Sequence, residues 1–132
     1  MSKTLKEKLD DEFSTYIRLR DSDENGICKC ISCGKPFYYL YGDNGHFINR
    51  KHMSLRFSET NCNAQCKDCN IFDEGNFEGY RRGLIAKYGE KIIDELYALK
   101  HQVNKISNVE YSIAIKHYQN EIKRLKSEKN LK

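Results

Sequence analysis

Two short cysteine pairs, Cys30-Ile31-Ser32-Cys33 and Cys66-Lys67-Asp68-Cys69, are the residues of this chain best suited to bind a metal. Each C-x-x-C turn presents two sulfurs to one ion, and zinc takes four deprotonated thiolates at the corners of a tetrahedron. One such pair is a weak signal. Two pairs separated by 32 residues in a short chain are a strong one. The spacing predicts a structural zinc on Cys30, Cys33, Cys66 and Cys69, with a closed shell that leaves no position for catalysis. Cys28 adds a third sulfur in a C-x-C-x-x-C run, but the spacing favours Cys30 with Cys33. Cys28 and Cys62 are read as free thiols packed as small hydrophobes.

Between the two pairs lie Asp43-Asn44-Gly45-His46, then Arg50, Lys51, His52 and Arg56, then Asn61, and Asn70 directly follows the last cysteine. A histidine can act as general base near neutral pH. Carboxylate and amide oxygens suit a hard cation such as Mg²⁺. Arginines supply forked donors for phosphate oxygens. Together these are the parts of a one-metal phosphodiesterase. Taken singly, each has a plainer reading: His46 as a structural or surface histidine, Asp43-Asn44-Gly45 as a turn, Asn70 as a helix-end residue. Their co-location is what lifts the set.

The elements that must hold these residues are mostly helical. Leu5, Leu9, Phe13 and Ile17 recur at four-residue spacing and mark one face of a helix over 3–20, broken by Asp21-Ser22-Asp23-Glu24-Asn25-Gly26. Residues 28–45, with three cysteines, the sole proline and three glycines, read as an irregular metal-stapled loop. Alternating apolar residues predict short strands at 46–49 and 55–57. A short helix is expected from Cys66 to Asp73-Glu74-Gly75, where glycine suits a C-cap. Further helices follow on Tyr80, Leu84, Ile85 and Tyr88, closed by Gly89, and on Ile92, Ile93, Leu96 and Leu99. The last opens with Ser107-Asn108-Val109-Glu110, a capping box, and continues through Tyr111, Ala114, Tyr118, Ile122 and Leu125.

The 132 residues fit a single domain. No apolar run is long enough to span a membrane, and the N-terminus lacks the apolar stretch of a signal peptide, so a cytoplasmic location is expected. In a reducing compartment six cysteines favour metal over disulfides. The net charge of +4 is uneven: from Lys100 to Lys132 there are eight Lys or Arg against three Glu. That excess points to a polyanionic partner or to a solvated helix face.

With these residues in view the chain resembles the HNH (His-Me finger) nucleases, including phage endonuclease VII. More closely, it is similar to the NinG/Rap family of lambdoid phage recombination endonucleases. The likeness is carried by Tyr16-Ile17-Arg18-Leu19-Arg20-Asp21, Cys30-Ile31-Ser32-Cys33-Gly34, Asp43-Asn44-Gly45-His46-Phe47, Leu55-Arg56-Phe57, Asn61, Gln65-Cys66, Cys69-Asn70 and Gly75-Asn76. It extends through Tyr80-Arg81, Leu84-Ile85 and the Gly89 turn, from about residue 13 to 125. The resemblance implies a ββα-metal core with His46 as general base on its first strand. It implies that Asp43 and Asn70 hold a catalytic Mg²⁺ or Mn²⁺, and that Asn61 supports the hairpin loop or orients His46. Two departures stand out: Gly45 occupies the position before the histidine where many HNH enzymes carry the metal-binding carboxylate, and Asp73 and Glu74 replace a common lysine.

The expectation is therefore an α+β fold: a zinc-clamped ββα-metal (HNH, His-Me finger) core flanked by N- and C-terminal helices. Residues 1–27 form the N-terminal helix and turn, 28–76 the core, and 77–132 a helical, basic C-terminal part. The expected activity is metal-dependent endonucleolytic cleavage of branched DNA such as Holliday junctions and D-loops, in a phage or prophage protein of a bacterial host. Arg50, Lys51 and Arg56 should meet the phosphates flanking the cut, and Lys116, Lys123, Arg124 and Lys126 more distant backbone. A homodimer is attractive, since symmetric resolution of a four-way junction needs two active sites. Two rivals explain less. A non-catalytic zinc-ribbon module that binds nucleic acid gives no reason for Asp43, His46 and Asn70 together. A zinc-stabilised scaffold for protein partners explains the helical stripes alone.

Overall fold

A computed structural model describes residues 2–72, 74 and 76–132. Helix α1 (Leu5–Arg20) opens on a capping box, in which Thr4 and Glu7 each bond the other's main chain. Its apolar face, Leu9, Phe13, Tyr16, Ile17 and Leu19, packs on the last helix, α5 (Asn108–Glu128), through Tyr118, Ile122 and Leu125. Phe13 meets Tyr118 edge-on with ring centroids 5.0 Å apart. The Glu59 carboxylate joins the same two helices, accepting from Tyr16 Oη at 2.8 Å and Tyr118 Oη at 3.0 Å. The capping box expected at Ser107 and Glu110 is fully formed.

Two small antiparallel hairpins fill the space beside these helices. Strand β1 (Ile27–Lys29) pairs with β2 (Pro36–Tyr38). Strand β3 (Asp43–His46) pairs with β4 (Cys62–Gln65), with His46 opposite Cys62 and Asp43 opposite Gln65. Helix α2 (Met53–Arg56) is a single turn between them. Beyond the second cysteine pair comes a π-helical turn, Asp68–Phe72, then α3 (Phe77–Tyr88) and α4 (Ile92–Leu99). A second core gathers Phe47, Ile48 and Leu55 with Tyr80, Leu84, Ile92, Ile93 and Leu96. Among the described residues no helix is long and apolar enough to cross a membrane.

One loop expectation and two strand expectations are corrected. The stretch 28–45 is not irregular throughout, because it carries β2, most of β1 and the start of β3. The strand expected at 46–49 runs instead over Asp43–His46, and only His46 is shared. The stretch 55–57 is no strand: Leu55 and Arg56 end α2, and the partner of β3 is β4. All four residues of β4 are buried, so it has no exposed face and no alternation to read. The helix expected from Cys66 is the short π turn, and its expected end at Asp73 and Gly75 falls outside the described residues.

Two buried polar side chains fix the β3–β4 hairpin. The Tyr80 hydroxyl, from α3, lies against the carbonyls of Gly45 (2.7 Å), within β3, and Asn61 (3.1 Å), just before β4. The Asn61 amide donates to the carbonyls of Ile48 (3.0 Å) and Leu55 (3.1 Å), and its Oδ1 accepts from the Ile48 amide at 2.8 Å. The loop between the strands is thereby tied at both ends.

Candidate functional site

The four cysteines of the two C-x-x-C turns converge, with all four Sγ within 4.8 Å of one another. Tetrahedral zinc with bonds of about 2.3 Å sets its sulfurs about 3.8 Å apart, and Cys33 Sγ lies 3.7 Å from Cys66 Sγ. Gly34 (φ +78°) closes the first turn, its amide donating to the Cys30 carbonyl at 2.9 Å. The Cys66 amide donates to Cys30 Sγ at 3.3 Å, and Asn76 Nδ2 to Cys69 Sγ at 3.4 Å. Burial pushes the Cys30 thiol up, but backbone N–H donors from Cys66, Cys33 and Ser32 outweigh it and bring the thiol below its ordinary value. Burial and neighbouring sulfurs hold Cys66 above its usual range and push Cys69 up to about 12. Four crowded sulfurs of this kind favour a cation to carry their thiolates, and the cluster is compatible with structural zinc. Cys28 and Cys62 lie apart from it and are fully buried.

Next to this cluster is a cleft of about 480 Å³, walled by α1 on one side and the β3–β4 hairpin on the other. Asp43, His46, Arg50, Arg56 and Asn70 all line it, so residues spread over 28 positions reach one cavity. Asn70 Nδ2 donates to Asp43 Oδ2 at 3.0 Å, and Lys67 Nζ pairs with Asp43 Oδ1 at 2.8 Å. Asn44 lines the same cleft, with a buried Oδ1 that has no hydrogen-bond partner among the described residues. Carboxylate and amide oxygens are the donor type that hard divalent cations take, but here Asn70 faces Asp43 with its Nδ2 and would have to reverse its amide to present the oxygen.

The His46 ring sits at the end of β3 with Nε2 2.8 Å from the Arg56 carbonyl. A carbonyl only accepts, so Nε2 carries the proton and Nδ1 keeps the free lone pair. Burial lowers the basicity of His46, and the charges of Arg50 and Arg56 lower it further, against the Arg56 carbonyl and Asp10. Both effects favour the neutral ring. Among the described residues Asn61 makes no hydrogen bond to the ring; its side chain bonds Ile48 and Leu55 in the loop.

A side chain at the position before His46 would crowd Gln65. A Cβ on Gly45 would lie 2.1 Å from Gln65 Oε1 and 2.9 Å from Gln65 Cβ. Gln65 is buried and donates through Nε2 to Ser32 Oγ at 2.8 Å, so it cannot simply swing away. Gly45→Ala should cost roughly 1–3 kcal/mol by overpacking, read as a lower Tm of the zinc-loaded protein. An unchanged Tm would mean that Gln65 repacks freely.

The basic residues separate into groups. Arg50 and Lys51 are exposed beside the cleft. Arg56 is buried and turned inward, its Nε donating to Asp10 Oδ1 at 2.9 Å and its Nη2 pairing with Asp10 Oδ2. Asp10 is a cleft residue that sequence reasoning misses. It stands in an acidic run with Asp11 and Glu12, and nothing in its spacing sets it apart. On α5, Lys116 and Lys123 are exposed and Lys126 is half-buried. Arg124 is held by Glu121 (2.7 Å) and Glu128 (3.0 Å).

A family profile described as Bacteriophage Lambda NinG protein matches residues 2–128. The chain belongs to the NinG family. It is 31% identical over 118 residues to Protein ninG of Escherichia phage lambda, covering 89% of this chain and 55% of that protein. It is 34% identical over 119 residues to Protein ninG of Escherichia phage 933W, covering 89% of this chain and 56% of that protein. The Protein ninG of Enterobacteria phage H19B is 36% identical over 84 residues, or 63% of this chain and 39% of that one. The chain thus spans little more than half the length of the first two NinG relatives. No solved structure matches it.

Proposed function

We propose that the chain is a metal-dependent, structure-specific endodeoxyribonuclease of the HNH type, acting on branched DNA such as recombination intermediates, with a structural zinc on its four-cysteine cluster. The observation that carries this reading is the shared cleft of His46, Asp43 and Asn70 beside that cluster. The resemblance to HNH recombination endonucleases adds the substrate class.

In this reading His46 Nδ1 takes a proton from water, which attacks phosphorus in line with the leaving 3′-oxygen. The Arg56 carbonyl keeps the ring in the tautomer that leaves Nδ1 free. Arg50 binds a phosphate oxygen at the cleft mouth. Asp43 and Asn70 would hold a divalent cation, which would supply stabilisation of the charge developing on the leaving oxygen. The 3′-oxygen leaves as an alkoxide and takes a proton from solvent, giving 5′-phosphate and 3′-hydroxyl ends. Lys67 pairs with Asp43 Oδ1, so a cation would be held through Oδ2, which Asn70 Nδ2 now faces.

The test is nicking of a four-way junction and of a matched linear duplex with Mg²⁺, by the native chain and by His46→Ala. Cleavage of the junction by the native chain alone is expected. Equal nicking by both proteins overturns the mechanism, and binding without nicking by either favours a nucleic-acid-binding module.

Interactions with the DNA backbone read charge and not sequence, so affinity should fall steeply with salt on every DNA. Lys116 and Lys123 are the free exposed charges of α5 among the basic residues expected to reach DNA, whereas Arg124 is already paired. Replacing both lysines with alanine should lower the salt slope by roughly one unit for each phosphate that is no longer neutralised. An unchanged affinity and slope would make α5 a solvated face.

A further inference from the structure

Asp10 and Asp11 both line the cleft, and the hydrolytic reading gives neither a task; Asp11 is exposed and pairs with Lys3, whereas Asp10 pairs with the buried Arg56. Asp10 lies on α1, more than 30 positions before the β3–β4 hairpin, yet it reaches into the loop that follows His46. Its two oxygens take the Arg56 guanidinium in a forked grip, at Nε and at Nη2. Arg50 Nη2 adds a longer contact of 3.3 Å to Asp10 Oδ2. The Arg56 side chain is 8% exposed and that of Asp10 is 18%, whereas that of Arg50 is 57%. The Asp10–Arg56 pair is thus an internal fixture and Arg50 an outer arm. Arg56 Nη1 also donates to the Arg50 carbonyl at 3.3 Å, so the guanidinium spans its own loop. The main-chain carbonyl of Arg56 is what His46 Nε2 holds at 2.8 Å.

We propose that Asp10 is a positioning residue for His46: by gripping the Arg56 guanidinium it fixes the Arg56 carbonyl, and that carbonyl fixes the tautomer and aim of the imidazole. The proposal rests on the hydrolytic role given to His46. Arg50 also reaches Asp10, but through Nη2 alone at 3.3 Å and with its side chain 57% exposed, so it can turn to meet phosphate. A buried bidentate carboxylate–guanidinium pair is far more rigid than a single contact, because both partners lose their freedom together. The N-terminal helix is thereby part of the site and not only a cover for the core.

The test combines kinetics with a readout that does not depend on cleavage. In the zinc-loaded native chain, ¹⁵N NMR of the His46 ring should report a single tautomer protonated at Nε2. Asp10→Asn keeps the shape but loses the carboxylate grip. Its ring should show mixed tautomers, kcat on junction DNA should fall between about tenfold and a hundredfold, the range expected of a misplaced group, and DNA affinity should hold within about twofold. Asp10→Glu, which keeps the charge, should recover part of kcat. A single tautomer with unchanged kcat in Asp10→Asn overturns the proposal. So does tighter DNA binding at unchanged kcat, which would make Asp10 a stand-in for phosphate. If Asp10→Asn does not fold, Arg56→Lys carries the same reading, since lysine keeps the charge and loses the fork. Mixed tautomers support the proposal there, and a single tautomer with unchanged kcat refutes it. A native chain with one locked tautomer and no cleavage on any DNA leaves the positioning intact and removes the hydrolytic reading instead.

Discussion

Cys66→Ser, or removal of the metal by a strong chelator, should unfold the protein outright. Cys66 is buried in a small cluster with Cys30, Cys69 and a flanking Phe37, and this cluster joins the β1–β2 hairpin to the π turn. Serine is a poor zinc ligand and opens the tetrahedron. Structural zinc contributes on the order of 10 kcal/mol in small domains, against a total stability of about 5–15 kcal/mol for a whole domain. Loss of the ion therefore removes most or all of the margin. Elemental analysis should find about one zinc per chain, and far-UV circular dichroism should collapse with its removal. Cys28→Ser is the control: Cys28 donates to the Arg18 carbonyl at 3.1 Å away from the cluster, so zinc should stay. A fully folded protein without zinc would refute the assignment.

His46→Ala should do the opposite, abolishing cleavage while leaving the fold. The ring is bonded to a main-chain carbonyl and belongs to neither apolar core. Loss of a general base costs about 10²- to 10⁴-fold in rate, and zinc content, Tm and DNA affinity should stay near native values. The pH profile is a second check. Burial and two neighbouring guanidinium groups lower the His46 value, so the proton comes off earlier as pH rises. The acid limb of cleavage should then fall below that of an ordinary histidine, and activity should persist into mildly acidic buffer. A mutant that melts or loses zinc would make His46 structural.

Much of this architecture is legible in the residues. The stripes of α1, α3, α4 and α5 follow a 3.6-residue period, and Ser107-Glu110 obeys a local capping rule. The cysteine cluster follows from spacing, because two turns of fixed geometry need only be brought together. The strands are harder. β1 and β2 are three residues each, too short for a period, and β3 reads Asp-Asn-Gly-His, a turn sequence held extended by its partner. β4 lies under cover on both sides, where alternation disappears. Arg56 has the residue type of a phosphate clamp, yet its direction depends on where α1 crosses the loop. Such a crossing is a tertiary fact, and no local pattern encodes it.

The pairing of the first helix with the last also bears on how the chain is made. Gln119 Nε2 reaches Glu12 across 107 positions, and Lys129 caps the end of α1 at the Leu19 carbonyl. At a synthesis rate of about 5–20 residues per second, α1 waits roughly 5–20 s on the ribosome before its partner exists. During that interval Phe13, Tyr16 and Ile17 have no α5 to cover them. Until α5 emerges, that apolar face is exposed to the kind of contact chaperones make.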